Sequence, residues 1–176
     1  MKPQADRARE GRANPKGIPY LYVAKHRQTA ISEVRPWLGS LVSVADFETV
    51  RDLVVLILAT EEEPKRRPRG AIPDSERDAV VWSRIDDAFS EPVVPSDDLA
   101  DYAPTQTIAE FFKLNGFDGI SYRSAFGGLN IVIFDMAAVR LISCTLYQVT
   151  DIQISFGPSG KSHFHSDPSW MRVGIG

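Results

Sequence analysis

PTQTIAEFFKLNGFDGISYRSAFGGLNIVIFD, residues 104–135, is the stretch on which the fold turns. Its first twelve residues predict a helix. Pro104 stands near the start, Ile108, Phe111 and Phe112 fall at helical spacing, and Gly116 supplies the stop. Segments 117–122 and 129–134 then read as strands on either side of the loop RSAFGG. Upstream, Tyr20-Leu21-Tyr22-Val23-Ala24 alternates, with both tyrosines on one face and Leu21 and Val23 on the other, as in a strand with one side committed to the core. Strands and helices follow one another irregularly, with few clean βαβ spacings, which favours α+β over a doubly wound sheet.

Working outward, GRANPKGIP (11–19) holds two glycines and two prolines and reads as an irregular loop. Thr29 is placed to N-cap a short helix, AISEVR, which Pro36 limits. Residues 41–45 read as a strand, whereas the apolar run 53–59 suits strand or helix equally. Residues 61–78 (EEEPKRRPRGAIPDSERD) are charged, contain three prolines and lack apolar periodicity, so they read as a surface loop or insertion. Val80, Ile85 and Phe89 with Trp82 predict an amphipathic helix over 75–89, and 140–156 reads as one or two further strands. The expectation is a single compact α+β domain over 11–156, followed by a loosely packed tail at 157–176.

The bulk properties exclude several function classes. With 176 residues, 43% of them hydrophobic and 24% charged, the chain has the composition of an ordinary globular domain. No apolar run approaches the roughly 18–20 residues of a membrane helix. The basic start lacks an apolar segment behind it, so a cytoplasmic location is expected. The lone Cys144 reads as a small buried hydrophobe in a reducing compartment, and the three histidines show no metal-ligand spacing. Net charge is −3, against a general nucleic-acid binder. Yet residues 1–27 hold seven Lys/Arg against Asp6 and Glu10, a local +5 that suits a small anionic ligand or a solvated basic terminus.

Five residues in order carry a resemblance: Arg12 in the Gly/Pro loop, Tyr22 in LYVA, Glu33 in TAISEVR, Ser124 in YRS and Asn130 in GLNIVIF. With the segments around them, which span 11–135, the chain resembles the RES-domain toxins. That resemblance implies a variant of the ADP-ribosyltransferase fold with a central, mostly antiparallel split sheet. It also implies degradation of NAD⁺ at the nicotinamide–ribose bond, by phosphorolysis in some members, and an Xre-type antitoxin partner. NAD⁺ is then a substrate and inorganic phosphate a co-substrate; no cofactor or metal is expected. Transfer of ADP-ribose to a protein, hydrolysis to ADP-ribose, and a non-catalytic nucleotide-binding module stay open as alternatives. So does a homodimer.

Each residue has a role under that resemblance and a plainer one without it. The Arg12 guanidinium fork suits a pyrophosphate, or is a solvated loop arginine. The Tyr22 ring would border the nicotinamide, with Tyr20 as the substitute if the register slips, or else both are core tyrosines. Glu33 would stabilise the ribosyl cation, or is an exposed helix carboxylate. Ser124 and Arg123, beside glycines, suit an anion, and Asn130 would orient the ligand or bridge loop to strand. Asp86-Asp87 and Asp97-Asp98 read as helix-end and turn residues, and Glu61-Glu62-Glu63 as solvated.

Overall fold

A computed structural model describes residues 7–59, 77–91 and 102–157. The decisive helix forms as α3 (Ala103–Leu114), and its termination shows why the sequence stops it there. Gly116 takes φ +86, open to glycine without a Cβ penalty, and donates to the Lys113 carbonyl. Phe117 N–H closes back on Phe112 O at 3.1 Å, and the two rings meet edge-on with centroids 5.6 Å apart. This is the six-to-one bond of a Schellman motif with its usual apolar contact. Of the predicted apolar face, Phe112 is buried and Ile108 is partly buried, and Ala109 joins them in the core. Phe111, one residue round the helix, is 59% exposed.

The chain then enters β4 (Gly119–Arg123) and returns antiparallel in β5 (Leu129–Ile133). On the far side of β5 lies β1 (Leu21–Ala24), also antiparallel; β4 pairs in parallel with β3 (Val55–Ile57), giving the order β1-β5-β4-β3. The undecided run 53–59 therefore contains a short strand. The longer strands β2 (Leu41–Thr49) and β6 (Val139–Gln148) form a separate antiparallel ribbon with a register shift at Asp46/Phe47. The other α-helices among the described residues are α1 (Arg27–Glu33) and α2 (Arg77–Ser90). The architecture is mixed α+β.

The four-stranded sheet is covered on both faces. Tyr20, Ile120, Tyr122 and Val132 pack with Phe89 of α2 and with Ala109 and Phe112 of α3. Leu21 and Ile133 pack on the other side with Val139, flanked by Val23 and Phe47. The β1 expectation is thus corrected: both faces of the strand meet apolar partners, because the ribbon covers the side opposite the helices.

Two other readings change. Thr29 does not cap α1; His26 occupies the cap position without a side-chain bond, and Thr29 is buried, its Oγ1 donating to Gly127 O at 2.9 Å. Cys144 is exposed, since the ribbon packs on the sheet near Phe47 and Val139 and leaves the middle of β6 uncovered. The 61–78 insertion lies outside the described residues apart from its last two, which start α2; the tail beyond Gly157 also lies outside them. No described helix is long and apolar enough to cross a membrane.

Candidate active site

Strand register assembles the floor of a cleft. Tyr22 lies opposite Val132, Ala24 opposite Asn130, and Asn130 opposite Tyr122. Cross-strand partners and alternate residues share a face, so Tyr22, Tyr122 and Asn130 all present to the same side of the sheet. Glu33 at the end of α1, Ser90 and Glu91 at the end of α2, and Arg12 from the loop close the walls. The cleft holds about 320 Å³, toward the lower end of the roughly 300–1,000 Å³ usual for ligand sites.

Glu33 is held by two donors on one oxygen. Ser124 Oγ donates to Oε1 at 2.7 Å, and Asn130 Nδ2 donates to the same atom at 2.5 Å. Both bonds leave Oε2 outside the clamp. Two segments distant in sequence, the end of α1 and the β4–β5 hairpin, therefore converge on a carboxylate that remains exposed. The Ser124 turn is fixed in its own right: its N–H donates to Gly128 O, Phe126 N–H donates to its Oγ, and Thr29 ties Gly127 back to α1. Ser124 orients Glu33 rather than presenting a free hydroxyl to an anion. The clamp fixes a negative charge at the rim of a partly apolar cleft, where it can stabilise a developing cation.

Arg12 lines the cleft while gripping the end of α2. Its Nη1 donates to Ala88 O at 2.8 Å, its Nη2 donates to Glu91 O, and its guanidinium lies 5.5 Å from the Tyr102 ring centroid. A cation there complements the negative end of the α2 dipole. Arg123 is neutralised: its Nε donates to the fully buried Asp86, its backbone N–H meets the same carboxylate at 3.0 Å, and Nη2 reaches Asp87 at 3.3 Å. The reading of Asp86 as a helix-end residue is corrected, because it is a buried counter-ion inside α2.

The two tyrosines separate. Tyr22 turns its ring to the cleft, 42% exposed, and buries its hydroxyl under the loop, where it donates to Asn14 Oδ1 at 2.7 Å and accepts from Ala13 N at 3.0 Å. Burial pushes that phenol up to about 12, so it stays neutral. Tyr20, carried to the other end of β1, does not line the cleft. It packs on Phe134 and meets Glu110 and Lys113 of α3. The ligand role considered for Tyr20 has no support in this geometry; strand alternation puts both rings on one face, and the length of the strand sends one away from the pocket.

The RES domain model matches residues 2–154. The chain belongs to the RES domain family. No curated protein and no solved structure matches it significantly.

In this RES domain, four residues that the sequence reading passed over complete the site. Asn14 is buried and knots the loop, with Nδ2 donating to the carbonyls of Arg9, Pro15 and Ile18. Gln106 Nε2 from α3 reaches Glu10 Oε1 and the carbonyls of Gly11 and Asn14. Gly11 fits this knot because a Cβ there would stand 2.8 Å from Tyr22 Oη and 2.9 Å from Asn14 Oδ1. Arg35 lines the cleft from a left-handed backbone (φ 47), its guanidinium 5.8 Å from the Phe126 ring centroid. The fourth is Tyr122. The Asn-Pro turn signal pointed toward Asn14; only the tertiary fold identifies Gln106 and Arg35.

Proposed function

We propose that this RES domain degrades NAD⁺ by cleaving the nicotinamide–ribose bond, with inorganic phosphate as the acceptor. The observation that carries the reading is the Glu33 carboxylate, clamped by Ser124 and Asn130 beside the open ring of Tyr22. As the C1″–N bond breaks, its electron pair moves onto the pyridinium nitrogen and leaves neutral nicotinamide. Positive charge builds on the ribosyl carbon, where a fixed carboxylate is most valuable. Tyr22 supplies a face for the cationic base before cleavage. A phosphate oxygen then bonds to C1″ and releases a proton, giving ADP-ribose-1″-phosphate. Arg12 stands at the pyrophosphate end, with the guanidinium donors not used by α2 directed at phosphate oxygens. Under this reading the fold is a variant of the ADP-ribosyltransferase fold, and the protein is a toxin countered by an Xre-type antitoxin.

Incubating the protein with NAD⁺, with and without phosphate, tests the proposal by chromatography and phosphorus NMR. The expected product with phosphate is ADP-ribose-1″-phosphate. Free ADP-ribose under both conditions means that water is the acceptor. Radiolabel appearing on added lysate proteins means transfer. An untouched NAD⁺ pool with folded protein removes the enzymatic reading altogether.

A further inference from the structure

Tyr122 sits in the core, yet its hydroxyl has no partner among the described residues. The residue is 5% exposed, its ring lies 5.5 Å from that of Phe89 with the planes inclined, and it lines the cleft. Its hydroxyl makes no hydrogen bond to any described residue. At the same time, no side-chain oxygen or nitrogen sealed from solvent lacks a partner among the described residues. The Tyr122 oxygen therefore opens into the cleft. A phenylalanine would pack equally well there, so the hydroxyl contributes no contact within the described fold. Tyr22, two strands away on the same face, spends its hydroxyl on the loop. Tyr122 does not.

We infer that the Tyr122 hydroxyl is a substrate contact, hydrogen-bonding a hydroxyl of the nicotinamide ribose. This rests on the NAD⁺ reading of the cleft. The side chain belongs to the floor, with Glu33, Tyr22 and Arg12 as its charged and polar neighbours. Burial raises its pKa, so the group remains neutral and can donate and accept at once. A sugar hydroxyl matches that pair of roles. A phosphate oxygen would use only the donor, and the base ring already has the Tyr22 face. With Glu33 Oε2 on the other side, the ribose would be held between a carboxylate and a phenol, so that its C1″ is presented in one orientation.

Tyr122→Phe tests the assignment because it keeps the ring. The free protein loses no hydrogen bond, so the melting temperature should be unchanged or slightly higher. The kcat/KM for NAD⁺ should fall about tenfold, the worth of one hydrogen bond to the substrate. The inhibition constant of nicotinamide, which carries no ribose, and the KM for phosphate should both stay within twofold of wild type. A lower melting temperature assigns the hydroxyl a structural job and overturns the inference. So does a kcat/KM within twofold of wild type, or a tenfold change in the nicotinamide or phosphate constant. If the wild-type protein itself neither binds nor consumes NAD⁺, the parent reading fails, and the inference fails with it.

Discussion

A carboxylate fixed by two donors on a single oxygen behaves differently from one that swings freely. Ser124 and Asn130 restrict Glu33 to one orientation before any ligand arrives, and preorganised charge of this kind needs no reorganisation as the reaction proceeds. Glu33→Gln separates charge from geometry, since the amide oxygen can still accept from both donors. The variant should melt within about 2 °C of wild type, a surface change with small stability effect, and lose about a hundredfold or more in kcat. Parallel melting curves and single-turnover NAD⁺ assays measure the two effects; a kcat near wild type would remove Glu33 from the chemistry. At this scale the sequence was informative about residue types and silent about contacts. Arg12, Tyr22, Glu33, Ser124 and Asn130 could be selected, but Ser124 was assigned to an anion and proves to be bonded to Glu33. A hydroxyl's partner depends on which loop is brought beside it, and that is decided 91 positions away in the chain.

Elements were legible where local signals agreed and obscure where tertiary pairing decided. Helix α3 has a proline at its start, an apolar face and a glycine stop, and it formed within a residue of the expected span. The run 53–59 had no local arbiter, and its middle, Val55–Ile57, became a strand where β4 offered a parallel partner. Asp86 shows the limit most clearly: it reads from the sequence as a helix-end residue, yet it is fully buried against Arg123. That pair links α2 to the end of β4 just before the Ser124 turn, so it positions the cleft through two elements at once. Removing only the acid leaves a guanidinium with its buried partner gone. Asp86→Ala should therefore cost about 3 kcal/mol or more in urea unfolding, and adding Arg123→Met should recover much of the loss. If the double variant is as unstable as the sum of the two singles, the ion pair is not the link.

The described residues form a four-stranded sheet between helices and a separate ribbon, and a surface cluster pins the ribbon to the sheet. Arg51, just past β2, makes a two-pronged contact with Asp118, just before β4, at 3.0 and 2.6 Å, and Asp118 also accepts from Val54 N–H at 2.8 Å at the mouth of β3. The Arg51 guanidinium, first, and the Val54 N–H, second, hold the Asp118 carboxyl down at about 2, against an ordinary 3.8. The folded state thus keeps this carboxylate charged at pH values where an unfolded chain protonates it. Stability from the pin is complete above about pH 4 and disappears as the pH falls from there toward 2. Asp118→Asn should consequently melt below wild type at neutral pH, by a gap that holds to about pH 5 and closes near pH 2. The cluster is open to solvent, so the gap should be a few degrees at most and should narrow in molar salt. Melting curves across that range at two ionic strengths read the effect directly. A gap that persists unchanged to pH 2 would mean that the asparagine disturbs the strand junction sterically, and that charge at Asp118 does not hold ribbon and sheet together.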